Sequence, residues 1–212
     1  MESKRKKIIS LAVFVMLIAV LGLVSAVSAE LPSVPDILND RYGPGNWTGP
    51  LSETNIRFTA DSTIVVVYVD DHVAAYTDPT GWYETDSGIK HELFSDPEKE
   101  DFDTFEPGEE FGIYIDAGPN QPYITYYSQS WKNPYDEIHA KLYKVTGGDH
   151  SGAYVVAFED LPLDQSDKDY NDVVLELKHV TPVPVPEFTT IAIPVCMIFG
   201  LFYFFRRKRQ NE

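Results

Sequence analysis

Cysteine is all but missing from this 212-residue chain: Cys196 is the only one, and it lies in an apolar run near the C-terminus. The residues before it can form no disulfide among themselves, and they offer neither a thiol nucleophile nor thiolate ligands for zinc. Basic residues are scarce outside the ends. Four of the 17 lysines and arginines fall at 4–7 and four at 206–209, which leaves 9 bases against 31 acids between residues 30 and 188, a formal net of −22. Such a surface repels phosphate backbones, so no nucleic acid partner is expected, and it attracts cations. The chain also lacks a phosphate-binding glycine loop, a metalloprotease signature and a nucleophile motif.

Long apolar runs occur only near the two ends. Residues 8–24 follow the basic Lys4, Arg5, Lys6 and Lys7 and precede the small residues Val27-Ser28-Ala29, the pattern of a signal peptide over 1–29. The second run, 188–205, would span about 27 Å as a transmembrane helix, and residues 206–212 form a basic tail expected on the cytoplasmic side. Before it, residues 181–187 place proline at every second position, which favours an extended stalk. Pro186, Glu187 and Phe188, then the apolar run, then the basic end resemble the PEF-CTERM sorting signal of archaeal surface proteins. The resemblance implies an archaeosortase-type processing enzyme, removal of the tail, a lipid-type membrane anchor and display at the cell surface. A plain transmembrane anchor is the alternative.

Residues 30–180 remain for one extracellular domain with a real core. Ser33, Pro35, Asp36 and Gly43 bracket one short helix over 34–42. Short runs rich in β-branched and aromatic residues follow at 55–58, 63–69, 73–76, 91–94, 110–116, 123–129, 138–145, 153–159 and 173–180, separated by Gly, Pro, Asp and Asn. This predicts an all-β fold, a β-sandwich or jelly-roll-like domain. Residues 96–110, rich in acids, read as a solvated loop. Asn46-Trp47-Thr48 is a glycosylation sequon at Asn46.

The densest chemistry lies between residues 158 and 177. Glu159, Asp160, Asp164, Asp167, Asp169 and Asp172 crowd into fourteen residues with a single base, Lys168. Like charge at that density is costly unless water screens it or a cation sits in it, and oxygen donors alone suit a hard ion such as Ca2+. Asp167, Asp169 and Asn171 imitate the start of an EF-hand loop, but Asp172 stands where the turn glycine belongs and Lys178 where the bidentate glutamate belongs. A strand-loop site is therefore expected, with Asp164, Asp167, Asp169 and Asp172 as leading ligands and Glu159 and Asp160 next. After it, Val173, Leu175 and Leu177 alternate with Val174, Glu176 and Lys178, the period of a half-buried strand.

AFEDLPLDQSDKDYNDVVLEL, the upstream EFGIYIDAGPNQ and the intervening NPYDEIHAKLY are similar to the signatures of the domain of unknown function 4114. That resemblance implies a β-rich exported module and points to Glu159, Asp160, Asp167, Asp169, Asn171 and Asp172, with His139 in support. It implies no settled activity. Asp70, Asp71, His72 and Asp116 offer a second ion site if their strand ends meet, or simple turns. Trp47, Trp82, Trp131, Tyr123, Tyr126 and Tyr127 are sugar-stacking candidates or core packing. The expected function is a non-enzymatic, calcium-stabilised surface module for envelope structure or adhesion. Two alternatives are a carbohydrate-binding module with a glycan partner and a glycoside hydrolase using paired acids.

Overall fold

The computed structural model describes residues 31–60, 62–70, 78–118 and 124–184. The expected signal peptide, the strand at 73–76, the sorting motif and the transmembrane helix over 188–205 lie outside them. Among the described residues no helix is long and apolar enough to cross a membrane.

Among the described residues one α-helix, α1 (Val34–Tyr42), precedes twelve strands: β1 (Trp47–Thr48), β2 (Phe58–Thr59), β3 (Ile64–Asp70), β4 (Thr80–Glu84), β5 (Lys90–Phe94), β6 (Phe102–Phe105), β7 (Phe111–Ala117), β8 (Ile124–Tyr127), β9 (Ala140–Val145), β10 (Tyr154–Phe158), β11 (Val173–Lys178) and β12 (Thr181–Pro182). The first sheet runs β1-β9-β10-β11-β3-β6. The second runs β12-β2-β7-β4-β5, with β8 also on β7. All these pairings are antiparallel.

The sandwich core follows from the two-residue period of the strands. Val66, Tyr68, Val156, Phe158, Val173, Leu175 and Leu177 of the first sheet meet Phe58, Trp82, Phe111, Ile113, Ile115 and Tyr126 of the second. The other face of β10 and β11 is also covered, which departs from the half-buried strand expected at 173–178. Val34, Ile37, Leu38 and Tyr42 of α1 pack on Val155, Ala157 and Val174 there, forming a second apolar layer. The helix begins as its sequence dictates: the Ser33 N–H and hydroxyl both donate to the Asp36 carboxylate, at 3.0 and 2.6 Å. Gly43, at φ 83°, ends it.

Two further differences have local causes. The stretch read as a solvated loop at 96–110 contains β6, which pairs with β3; Phe105 points inward, while exposed Phe102 and the interleaved acid Asp103 leave an edge strand that repels further pairing. The first residues of the expected stalk are drawn into the second sheet, where β12 pairs with β2 and the Val183 N–H donates to the Arg57 carbonyl at 2.9 Å. Asn46 is engaged at the end of α1: its Nδ2 donates to the Tyr42 carbonyl at 2.8 Å, which would leave one N–H of the amide for a glycan to replace. At Gly147 a Cβ would stand 2.2 Å from Asn46 Oδ1, so a larger residue there would push the Asn46 side chain aside.

Beneath the helix, the fully buried Glu176 of β11 accepts from Tyr42 Oη at 2.6 Å and Arg41 Nε at 3.2 Å, and pairs with His150 Nδ1 at 2.9 Å and Lys178 Nζ at 3.1 Å. Burial alone would raise its pKa. The hydrogen bonds from Tyr42, His150, Lys178 and Arg41 outweigh that and hold the carboxyl down at about 2. A carboxyl depressed in the folded state contributes stability above its ordinary value of 4.5 and loses it as pH falls through the folded value. Replacing Glu176 with glutamine should cost about 3–5 kcal/mol in urea melts near neutral pH, as for breaking a buried pair. The gap between wild type and variant should narrow as the melts are repeated from pH 4.5 down towards 2.

Candidate metal centre

The acidic loop joins β10 to β11, the central hairpin of the first sheet, and the paired residues Phe158 and Val173 close its base. Because that hairpin is buried on both faces, the loop ends are buried with it. Glu159 is 1% exposed, and Asp160, Asn171 and Asp172 are likewise buried. Between them the chain winds through successive side-chain turns: Asp167 Oδ1 accepts from the Asp169 N–H at 3.4 Å, and Asp169 Oδ1 from the Asn171 N–H at 3.2 Å. Lys168 and Tyr170 take left-handed φ values of 64° and 63°. The alternation sends Lys168 to solvent and buries Tyr170, whose hydroxyl donates to the Ile138 carbonyl at 2.8 Å.

Two sets of carboxylates converge. Glu159, Asp160 and Asp172 form one and Glu159, Asp167 and Asp169 the other, each with oxygens within 4.8 Å of one another. Glu159 is common to both, and its Oε2 is buried without a hydrogen-bond partner. Asp172 Oδ2 accepts from the Asp160 N–H at 2.9 Å, which fixes the geometry of the first set. Two carboxylates about 4 Å apart repel by roughly 4 kcal/mol at an effective dielectric constant of about 20. The titration behaviour reflects this. Burial, with the charges of Asp160 and Glu159, pushes the Asp172 carboxyl up to about 9. Burial, with the charges of Asp167, Asp169 and Asp160, raises Glu159 as well. Asp169 is raised by burial and by Asp167.

The remaining sequence candidates are placed differently. Asp164 is exposed and belongs to neither set. Asn171 donates through Nδ2 to the Pro32 carbonyl at 2.9 Å, tying the segment before α1 to the loop. His139 is fully buried and stacked on Tyr126 at 3.7 Å. Its Nδ1 lies 3.0 Å from the Glu159 carbonyl and its Nε2 3.2 Å from Glu137 Oε2, so it positions the backbone of Glu159. Asp116 belongs to neither set and is engaged within the second sheet, where Lys90 Nζ lies 2.7 Å from Oδ1 and the Thr125 hydroxyl also donates to it. Asp70 pairs with Lys99 at 3.0 Å, while Asp71 and His72 lie outside the described residues. Of the aromatic candidates, Trp82 is stacked between His91 and Phe105, Trp47 packs edge-on to Tyr143, and Trp131 is exposed. Tyr123 lies outside the described residues.

Sequence reasoning passed over Asp78. It sits two residues before β4, is 2% exposed, and faces Asp160 from the second sheet. Burial and the Asp160 charge push its carboxyl up to about 8. A lone acid before a proline carries no local signal of such a role.

Residues 105–179 match the domain of unknown function (DUF4114), which contains the whole acidic loop, and residues 185–209 match the PEF-CTERM archaeal protein sorting domain. The sorting match indicates export, processing by a sortase-like enzyme and membrane anchoring at the cell surface, with the matched β-rich segment on the outward side of it. No curated protein matches it.

Two outcomes follow. His139→Ala should lower stability by about 2–4 kcal/mol in urea melts, since it removes a buried ring with its hydrogen bonds to the Glu159 carbonyl and the Glu137 carboxylate. Intact-mass measurement on protein from native membranes should find the Arg206 to Arg209 end missing from wild type and retained when Pro186, Glu187 and Phe188 are all replaced by alanine.

Proposed function

We propose that the domain is a non-enzymatic surface module whose acidic loop binds calcium, and that the ion stabilises the sandwich for a role in envelope structure or adhesion. The observation that carries this reading is Glu159: a buried carboxylate with an unpartnered oxygen, shared by two carboxylate sets. Among the described residues, protein cations offset these sets only in part. Lys168 points to solvent, and Lys141, seated over the Tyr170 ring at 3.6 Å, feels the charges of Glu159 and Asp169 without forming an ion pair with either, its pKa lowered on balance by burial. The donors are carboxylates, with backbone carbonyls and water available to complete a shell, which suits calcium with its six to eight oxygens. In a domain without disulfides, such an ion cross-links the central hairpin.

The same burial argues against glycoside hydrolysis. A hydrolase needs two acids opened across a cleft that admits a sugar, whereas Glu159, Asp160 and Asp172 are packed together and closed from solvent. A carbohydrate-binding role has one supporting feature: Trp131, at 56% exposure, and Tyr135, at 95%, project from the turns before β9. Exposed rings of this kind can stack on sugars or on envelope proteins.

Calcium at a hundredfold excess over its dissociation constant should stabilise the protein by about 2.7 kcal/mol. Thermal melts of the full chain in detergent should therefore move upward with calcium and return with chelator. Asp167→Ala combined with Asp169→Ala should abolish the shift. A wild-type melt indifferent to calcium would remove the metal from this reading.

A further inference from the structure

We infer that Asp78 is a cation ligand contributed from the second sheet, sharing an ion with Asp160, so that the metal held by the acidic loop ties the two sheets of the sandwich together. This rests on the calcium reading above and extends it to a residue outside the 105–179 match.

Asp78 is 2% exposed, and among the described residues no base and no donor side chain within hydrogen-bond geometry meets either of its carboxylate oxygens; of the groups acting on it, the Gly118 backbone favours its charged form. Its backbone is held firmly: the Thr80 hydroxyl donates to the Asp78 carbonyl at 3.0 Å, and the Asp116 N–H donates to the neighbouring Pro79 carbonyl at 2.8 Å. The carboxylate is therefore delivered by the start of β4, not by a wandering side chain. The groups that act on it are Asp160, the backbone of Gly118 just after β7, and the more weakly felt Asp116. Lys90, the base nearest in topology on β5, is occupied by Asp116 and Thr125. Asp160 in turn interacts with Asp172 and Glu159, and Glu159 with Asp167 and Asp169. Asp78 belongs to neither of the two converging sets, but through Asp160 its charge is linked to the first of them, from the segment that leads into β4.

A buried acid facing another acid has two ways to exist near neutral pH: a proton held between the pair, or a cation. Asparagine separates them, because it copies the shape and polarity of a protonated aspartate while removing the anionic donor. The ligand class is a hard divalent cation, and the probe is calcium chloride.

Calorimetric titration of the full chain in detergent with calcium should show Asp78→Asn losing at least tenfold in affinity, or one equivalent of bound ion, while Asp164→Asn, an exposed acid outside both sets, titrates as wild type. An unchanged titration for Asp78→Asn would overturn the inference and leave a shared proton in its place, with the loop site intact. A wild type that binds no calcium would overturn the underlying reading as well, and so is told apart. Hydrogen exchange on wild type alone supplies a test that no misfolded variant can blur. Calcium should slow exchange in β4, over Thr80–Glu84, together with the ends of β10 and β11. Protection confined to the loop and its own hairpin would overturn the link between sheets.

Discussion

Repulsion among carboxylates at the mouth of the β10–β11 hairpin is the constraint around which the rest of the domain is arranged. That hairpin is the centre of the first sheet, flanked by β9 and β3, covered by the second sheet on one face and by α1 on the other. Its apolar burial is what forces Glu159, Asp160 and Asp172 out of water, since they are continuous with Phe158 and Val173. The hydrophobic gain of the core and the electrostatic cost of the loop are thus two ends of one pair of strands.

The same strand shows how this fold treats a buried acid when protein groups are the remedy. Glu176 lies four residues beyond Asp172 and is as deeply buried, yet Tyr42, His150, Lys178 and Arg41 surround it and hold its pKa far below the ordinary range. Asp172 and Glu159 meet other acids instead and are driven upward. All three acids are buried on or beside the same hairpin, so burial does not explain the contrast; the identity of the neighbours does. A row of acids with no such ring of donors is the pattern of a site completed from outside the chain.

Much of this was legible in the residues. The helix from Val34 to Tyr42 could be bounded because its stop and start signals are local: Ser33 with Asp36 at one end and Gly43 at the other. The Asp167, Asp169, Asn171 spacing likewise announced a turn-forming loop, and the signatures around it matched a family domain. What escaped was non-local. Thr80–Glu84 has a glycine within five residues and shows no clear alternation, yet it forms β4 because Gly81 lets Tyr114 and the backbone of His91 approach it. Phe102 to Phe105 hid among acids that belong on an edge. The double burial of β11 depends on where α1 docks, and the role of Asp78 depends on a sheet meeting another sheet. Neither can be read from a window of neighbouring residues.

The pairing of β12 with β2 gives the anchored end of the chain a mechanical character. The sorting domain begins at residue 185, two residues beyond Val183, whose N–H is bonded to Arg57. Tension from the anchor therefore reaches the fold first through the short ladder of Thr181 and Pro182 on Thr59 and Phe58. That ladder can detach at the sheet margin before load reaches the β10–β11 hairpin, lengthening the tether by about 10 Å for three released residues. The margin of the second sheet is thus the place where a pull from the membrane side first meets backbone hydrogen bonds.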